Sequence, residues 1–171
     1  MTRTADIEIA KYLEVFDMLV KTKYFGEIDL SDDKIFKLEN GLMGFEEYTK
    51  YTLLFDSEKE QPSNIMWLQS VEEQALALPV INPLIIKKDY DPQVNEELIK
   101  QLGDLNEENL CILLTMTIAS DLKKTTANLK APIIINTDNN IGAQVICENT
   151  DYEVRYNVYD AMQKMKEGAS C

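Results

Sequence analysis

Residues 128–137 read NLKAPIIINT, three consecutive isoleucines behind a proline, with asparagines at both ends. A short β-branched run bounded by turn residues predicts a buried strand, because it is too short for a helix and its side chains are stiff at χ1. Pro132 has no amide hydrogen, so it belongs at the first position of that strand, where no ladder bond is forfeited. Asn128, Lys130 and Asn136 frame the run as polar groups expected at the surface.

Working outward, residues 138–142 predict a hairpin turn and 143–148 a strand. At 152–158, Tyr152, Val154, Tyr156 and Val158 alternate with Glu153, Arg155 and Asn157, the pattern of a strand with one apolar and one wet face. Residues 159–171 predict a helix using Met162 and Met165. On the other side, 110–118 predicts a strand with both faces partly buried. Asn95 caps a predicted helix with Glu96 and Glu97 in its first turn, Leu98 and Leu102 on one face and Gly103 past its end. Asn82-Pro83 is a turn signal between apolar pieces. Strands are expected at 65–71, which holds the only tryptophan, Trp67, and at 51–55, joined by a polar loop over 56–64. The loop NGLMGFE at 40–46 needs positive φ at one or both of its glycines. Short strands are expected at 35–38, 27–30 and 18–25.

Ile9, Leu13 and Phe16 have helical spacing behind a Thr4 cap, so 1–17 predicts a helical extension. The fold class that follows is mainly β: a small antiparallel β-barrel-like single domain, with a sandwich as the alternative, one short internal helix and terminal helices. The expected organisation is an extension at 1–17, a β domain at 18–158 and a tail at 159–171.

Composition narrows the chemistry. The 171 residues contain no histidine, which removes the commonest general base and transition-metal ligand. Cys111, Cys147 and Cys171 match no zinc spacing or disulfide framework, and neither metal nor cofactor is expected. Cys111 and Cys147 fall in strand-like runs, where a free cysteine behaves as a small buried hydrophobe. With 30 acidic and 17 basic residues the net charge is −13, which opposes direct nucleic-acid binding and favours encounter with a basic protein. No apolar run reaches a membrane span, no signal peptide is visible, and the expected location is the cytoplasm.

Several stretches in order resemble one family, the bacterial flagellar assembly factor FliW: TKYFGEI at 22–28, NGLMGFE at 40–46, WLQSV at 67–71, Asn82-Pro83, the acidic-capped helix near Asn95, NLKAPIIIN at 128–136, and 144–146. Together they cover residues 18–158. Leu38-Glu39-Asn40 departs from the phenylalanine-proline common in such proteins, and Met43 stands where proline is frequent. The resemblance implies a β-barrel-like protein without catalytic activity. It further implies binding to CsrA, a basic RNA-binding dimer that represses flagellin translation, and to flagellin itself. Exported flagellin would then free the factor to bind CsrA and relieve repression.

Partner contacts are expected from the polar or aromatic members of the matching motifs: Trp67, Gln69, Ser70, Asn128, Lys130, Asn136 and Gln144. For Trp67 a core anchor is the favoured reading, since a lone tryptophan in a strand usually packs inside. Gln69→Ala or Lys130→Ala is expected to weaken CsrA binding with little change in thermal midpoint. Two other classes compete. One is an acidic nucleic-acid mimic that blocks a basic RNA-binding protein. The other is an enzyme using paired carboxylates at Glu46-Glu47, Glu72-Glu73 or Glu107-Glu108, which solvated charge explains more simply.

Overall fold

The computed structural model describes residues 18–55 and 64–169. The helix expected over 1–17, most of the loop over 56–64, and Cys171 lie outside the described residues.

Strands β1 (Met18–Lys21) and β2 (Glu27–Leu30) pair antiparallel in a separate hairpin. A closed barrel of seven strands follows: β3 (Ile35–Leu38), β4 (Lys50–Leu54), β5 (Ile65–Ser70), β6 (Ala77–Ile81), β7 (Leu110–Thr117), β9 (Ile133–Asn136) and β10 (Ile141–Gln144). Neighbours from β3 to β7 pair antiparallel in sequence order, β7 crosses to β9, and β9 returns along β10. The closing seam, β10 on β3, is parallel, where antiparallel pairing was expected. β10 and β3 are separated by the whole intervening chain, so no hairpin constrains their direction. A two-residue pair, β8 (Thr126–Ala127) with β11 (Tyr156–Asn157), extends β7.

Period two explains why IIIN does not alternate. All four residues of β9 are buried, because both faces of the strand are covered. Ile133 and Ile135 point into the barrel with Leu38, Tyr51, Leu68, Val80 and Leu113. Ile134 faces outward, beneath Leu102, with Ala143 and Val145. Six strands thus feed the interior, and β10 supplies Gly142 there. A Cβ on Gly142 would lie 3.0 Å from Ile135 Cγ1 and 3.6 Å from Leu38 Cδ1, so a side chain would overfill the seam.

A second cluster lies outside the barrel, where α1 (Pro83–Ile86) and α3 (Tyr159–Ala169) cover Ile81, Leu114 and Met116. Asn82 caps α1 by accepting the Leu84 amide at 3.0 Å, with Pro83 in the first turn. Helix α2 (Glu96–Ile99) is capped by Asn95 in the same way.

Four local expectations are corrected. Helix α2 gives way to a 3₁₀ turn at Lys100–Leu102, so Leu98 and Leu102 do not share a face: Leu98 is exposed, and Ile99 joins Leu102 against the barrel. The clean alternation at 152–158 forms no long strand. Tyr152 stacks on Tyr90 with ring centroids 5.0 Å apart and its hydroxyl accepts the Asp91 amide, while Val154 is 60% exposed. These tertiary contacts turn the chain, leaving only β11 paired. The strand expected at 143–148 ends with β10 at Gln144; Cys147 lies beyond it, buried, its amide donating to Lys130 O. Asn136, expected at the surface, is 3% exposed.

Candidate functional site

The motif residues fall into separate groups. On β5, Leu68 points into the barrel, so Trp67 and Gln69 point out of it. Trp67 is only half-buried and packs on Tyr24 from the β1–β2 connection, with ring centroids 4.4 Å apart and planes 47° apart. It is therefore not the core anchor that its hydrophobicity indicated. Lys23 Nζ lies 5.2 Å from the Tyr24 ring centroid, within cation–π range.

Gln69 is buried under the same hairpin. Its Oε1 accepts the Lys23 amide at 2.9 Å, and its Nε2 faces the carbonyls of Ser70, Leu76, Gln74 and Glu73 at 2.9 to 3.3 Å. Ser70 is buried too, its Oγ accepting the amides of Glu72 and Glu73. Both residues tie the β5–β6 turn together, and Gln69 also ties it to the hairpin that carries Tyr24. Neither offers surface to another molecule in this conformation.

A second group gathers around the 40–46 loop. Gly41 has φ 63°, and a Cβ there would meet Glu46 Cα at 2.7 Å, so the loop at 40–46 turns back on itself only with glycine. Gln144 locks this loop: its Oε1 accepts the Met43 amide at 2.8 Å and its Nε2 donates to Ala131 O at 3.2 Å. Asn128 Oδ1 accepts the amides of Lys130 and Ala131, forming the turn into β9. Lys130 Nζ donates to Asn149 O. Asn128, Lys130 and Gln144 each keep partial exposure. Asn136 stands apart at the far end of β9, its Nδ2 donating to Leu102 O at 2.8 Å and its Oδ1 accepting the Asp138 amide.

Between the 40–46 loop and α2 lies a shallow cleft of about 250 Å³, floored by Gly41, Ala143 and Val145 and edged by Met43, Leu98, Gln144 and Ile146. Met43 is 47%, Leu98 48% and Ile146 56% exposed, a concentration of apolar surface on an otherwise acidic protein. The Gly44 amide donates to Glu46 Oε1 at 2.9 Å and holds that carboxyl below its usual range. Sequence reasoning missed Tyr24, Leu98 and Ile146. Tyr24 sat in plain view within TKYFGEI, whereas Leu98 and Ile146 were hidden by misjudged helix and strand phases.

Other groups suit structure better than chemistry. Burial raises the thiol pKa of Cys111 and Cys147, disfavouring the nucleophilic thiolate. Among the described residues no cluster of three histidine, cysteine, aspartate or glutamate side chains is placed to hold a metal ion, and no helix is long and apolar enough to cross a membrane.

The model of the FliW protein family matches residues 19–158. The chain belongs to the FliW family. The flagellar assembly factor FliW of Lachnoclostridium phytofermentans is 47% identical over 156 residues, covering 90% of this chain and all of the relative. That of Lachnospira eligens is 47% identical, covering 86% of this chain and 98% of its own, and that of Thermotoga maritima is 39% identical, covering 87% and 98%. A crystal structure of the flagellar assembly factor FliW superposes with a TM-score of 0.75 at 32% identity, covering 82% of this chain and 96% of that one. The FliW relatives carry the name of an assembly factor, not of an enzyme.

Proposed function

We propose that this FliW-family protein is a non-catalytic flagellar assembly factor of the cytoplasm that binds both the translational regulator CsrA and flagellin. Each ligand lowers the free pool of factor available to the other, so flagellin export releases factor to bind CsrA and relieve repression of flagellin translation. Membership of the FliW family over residues 19–158 carries this reading. The net charge of −13 supports it, because a field of that sign speeds encounter with a basic RNA-binding protein.

Trp67, Asn128, Lys130 and Gln144 are the proposed contacts, since each retains accessible surface. Gln69, Ser70 and Asn136 contribute by holding the β5–β6 turn, the Tyr24 hairpin and the end of β9 in place.

The test is calorimetric titration of the purified protein with CsrA and, separately, with flagellin from the same organism, followed by addition of flagellin to the preformed CsrA complex. Saturable binding of both, with flagellin releasing CsrA, is the expected result. Absence of binding to either overturns the reading. Release of CsrA by its RNA target as efficient as release by flagellin would instead identify an acidic mimic of nucleic acid.

A further inference from the structure

We propose that the cleft between the 40–46 loop and α2 is a docking site for an amphipathic protein segment, apolar side chains flanked by lysine or arginine. The proposal rests on the partner-binding reading above and gives it a location. Three large apolar side chains, Met43, Leu98 and Ile146, come from three separate parts of the chain and edge one shallow depression. Each is about half exposed. Isolated exposed apolar residues are ordinary, but their convergence on a concave surface is the pattern of an interaction site.

The depression is built to hold its shape. Gly41 permits the tight return of the loop, and Gln144 fixes Met43 to the barrel wall by accepting its amide. Ala143 and Val145 form a floor packed against Leu102, so the apolar edges stand on a rigid base.

Charge selects the occupant. Of the residues lining the cleft none is charged; Glu46, which accepts the Gly44 amide, follows Met43 closely in the chain, whereas Glu97 and Lys100 line a separate depression with Ile99 and Gly103. A second copy of this chain would bring its own net charge of −13 to a surface of the same overall sign, which opposes self-association. A basic-flanked segment instead gains from that overall charge, its apolar part covering the three exposed side chains.

Leu98→Glu and Ile146→Glu test the proposal, because both side chains are exposed and their replacement leaves the core untouched. Val154→Glu, on an exposed residue outside the cleft, is the control. Titration with CsrA and with flagellin is expected to show about a tenfold or greater loss of affinity for at least one partner in each cleft variant, unchanged thermal midpoints, and no loss in the control. Wild-type affinity of both cleft variants for both partners overturns the inference while leaving the two-partner reading intact. If the unaltered protein binds neither partner, that reading fails, and amide chemical shifts of the labelled protein then judge the cleft alone. The probe is a synthetic peptide with leucines between lysine pairs. Shifts concentrated at residues 43–44, 97–98 and 144–146 support the cleft, and shifts elsewhere or absent overturn it.

Discussion

Replacing Gln69 with alanine removes an amide that joins two separate pieces of structure, the β5–β6 turn and the connection between β1 and β2. The two hydrogens of Nε2 serve two of its four neighbouring carbonyls at a time, and Oε1 serves the Lys23 amide, so about three hydrogen bonds are lost. At roughly 0.5–1.5 kcal/mol net for each bond, with a small cavity left behind, the expected destabilisation is about 3 kcal/mol. For a protein of this size that lowers the thermal midpoint by roughly 6–12 °C. This replaces the expectation, drawn from sequence, that the substitution leaves the midpoint nearly unchanged. The assay is urea unfolding followed both by far-ultraviolet circular dichroism and by the emission of Trp67, the only tryptophan. Because Tyr24 covers Trp67 from the hairpin that Gln69 anchors, the emission of the folded variant should shift to the red. A destabilisation below about 1 kcal/mol with unshifted emission refutes the anchoring role, since even one lost buried bond should cost that much. Reduced CsrA affinity under those conditions would restore Gln69 as a direct contact.

Gly41→Ala should destabilise by about 3 kcal/mol or more, from the left-handed φ and the close approach to Glu46, whereas Gly44→Ala, with φ 89° but open space around it, should cost only about 1–2 kcal/mol. Equal costs in urea unfolding would mean that the close approach at Gly41 relaxes freely. Among the described residues the buried Tyr51 hydroxyl has no hydrogen-bond partner, so Tyr51→Phe should be neutral or stabilising by up to about 1 kcal/mol at neutral pH. Burial pushes the Tyr51 pKa up to about 12, so between the ordinary value near 10 and that value the unfolded chain loses a proton that the folded one keeps. Stability should therefore fall as pH rises through that window, by at most about 1.4 kcal/mol per pH unit from this group, and Tyr51→Phe should flatten the decline. Parallel declines in the two proteins would show that the hydroxyl is not the source. Association with CsrA should slow as screening lengths shrink from ~10 Å at 0.1 M salt to ~3 Å at 1 M. Rates independent of salt in stopped-flow mixing would remove electrostatic steering from the mechanism.

Sequence by itself determined the class and most of the strands. A β-branched run between turn residues needs burial on both faces, and closely spaced turns leave room only for short strands, which is a mainly β fold. The cap at Asn95 was also legible, because an asparagine side chain reaching an amide two residues on is a local interaction, whereas Asn82, read as part of a turn between apolar pieces, caps α1. Tertiary structure decided what depends on residues distant in the chain. The parallel β3–β10 seam brings Lys37 beside Ile141, and no local pattern encodes that meeting. Tyr152 obeys its stacking on Tyr90 and not the alternation around it. Leu98 faces outward because one turn of α-helix tightens into 3₁₀. The polar motif residues divide on the same principle: composition marked Gln69, Ser70, Asn136 and Gln144 alike. Only the packing of the hairpin, the turn at Leu102 and the 40–46 loop made the first three buried fasteners and left Gln144 at the edge of a cleft.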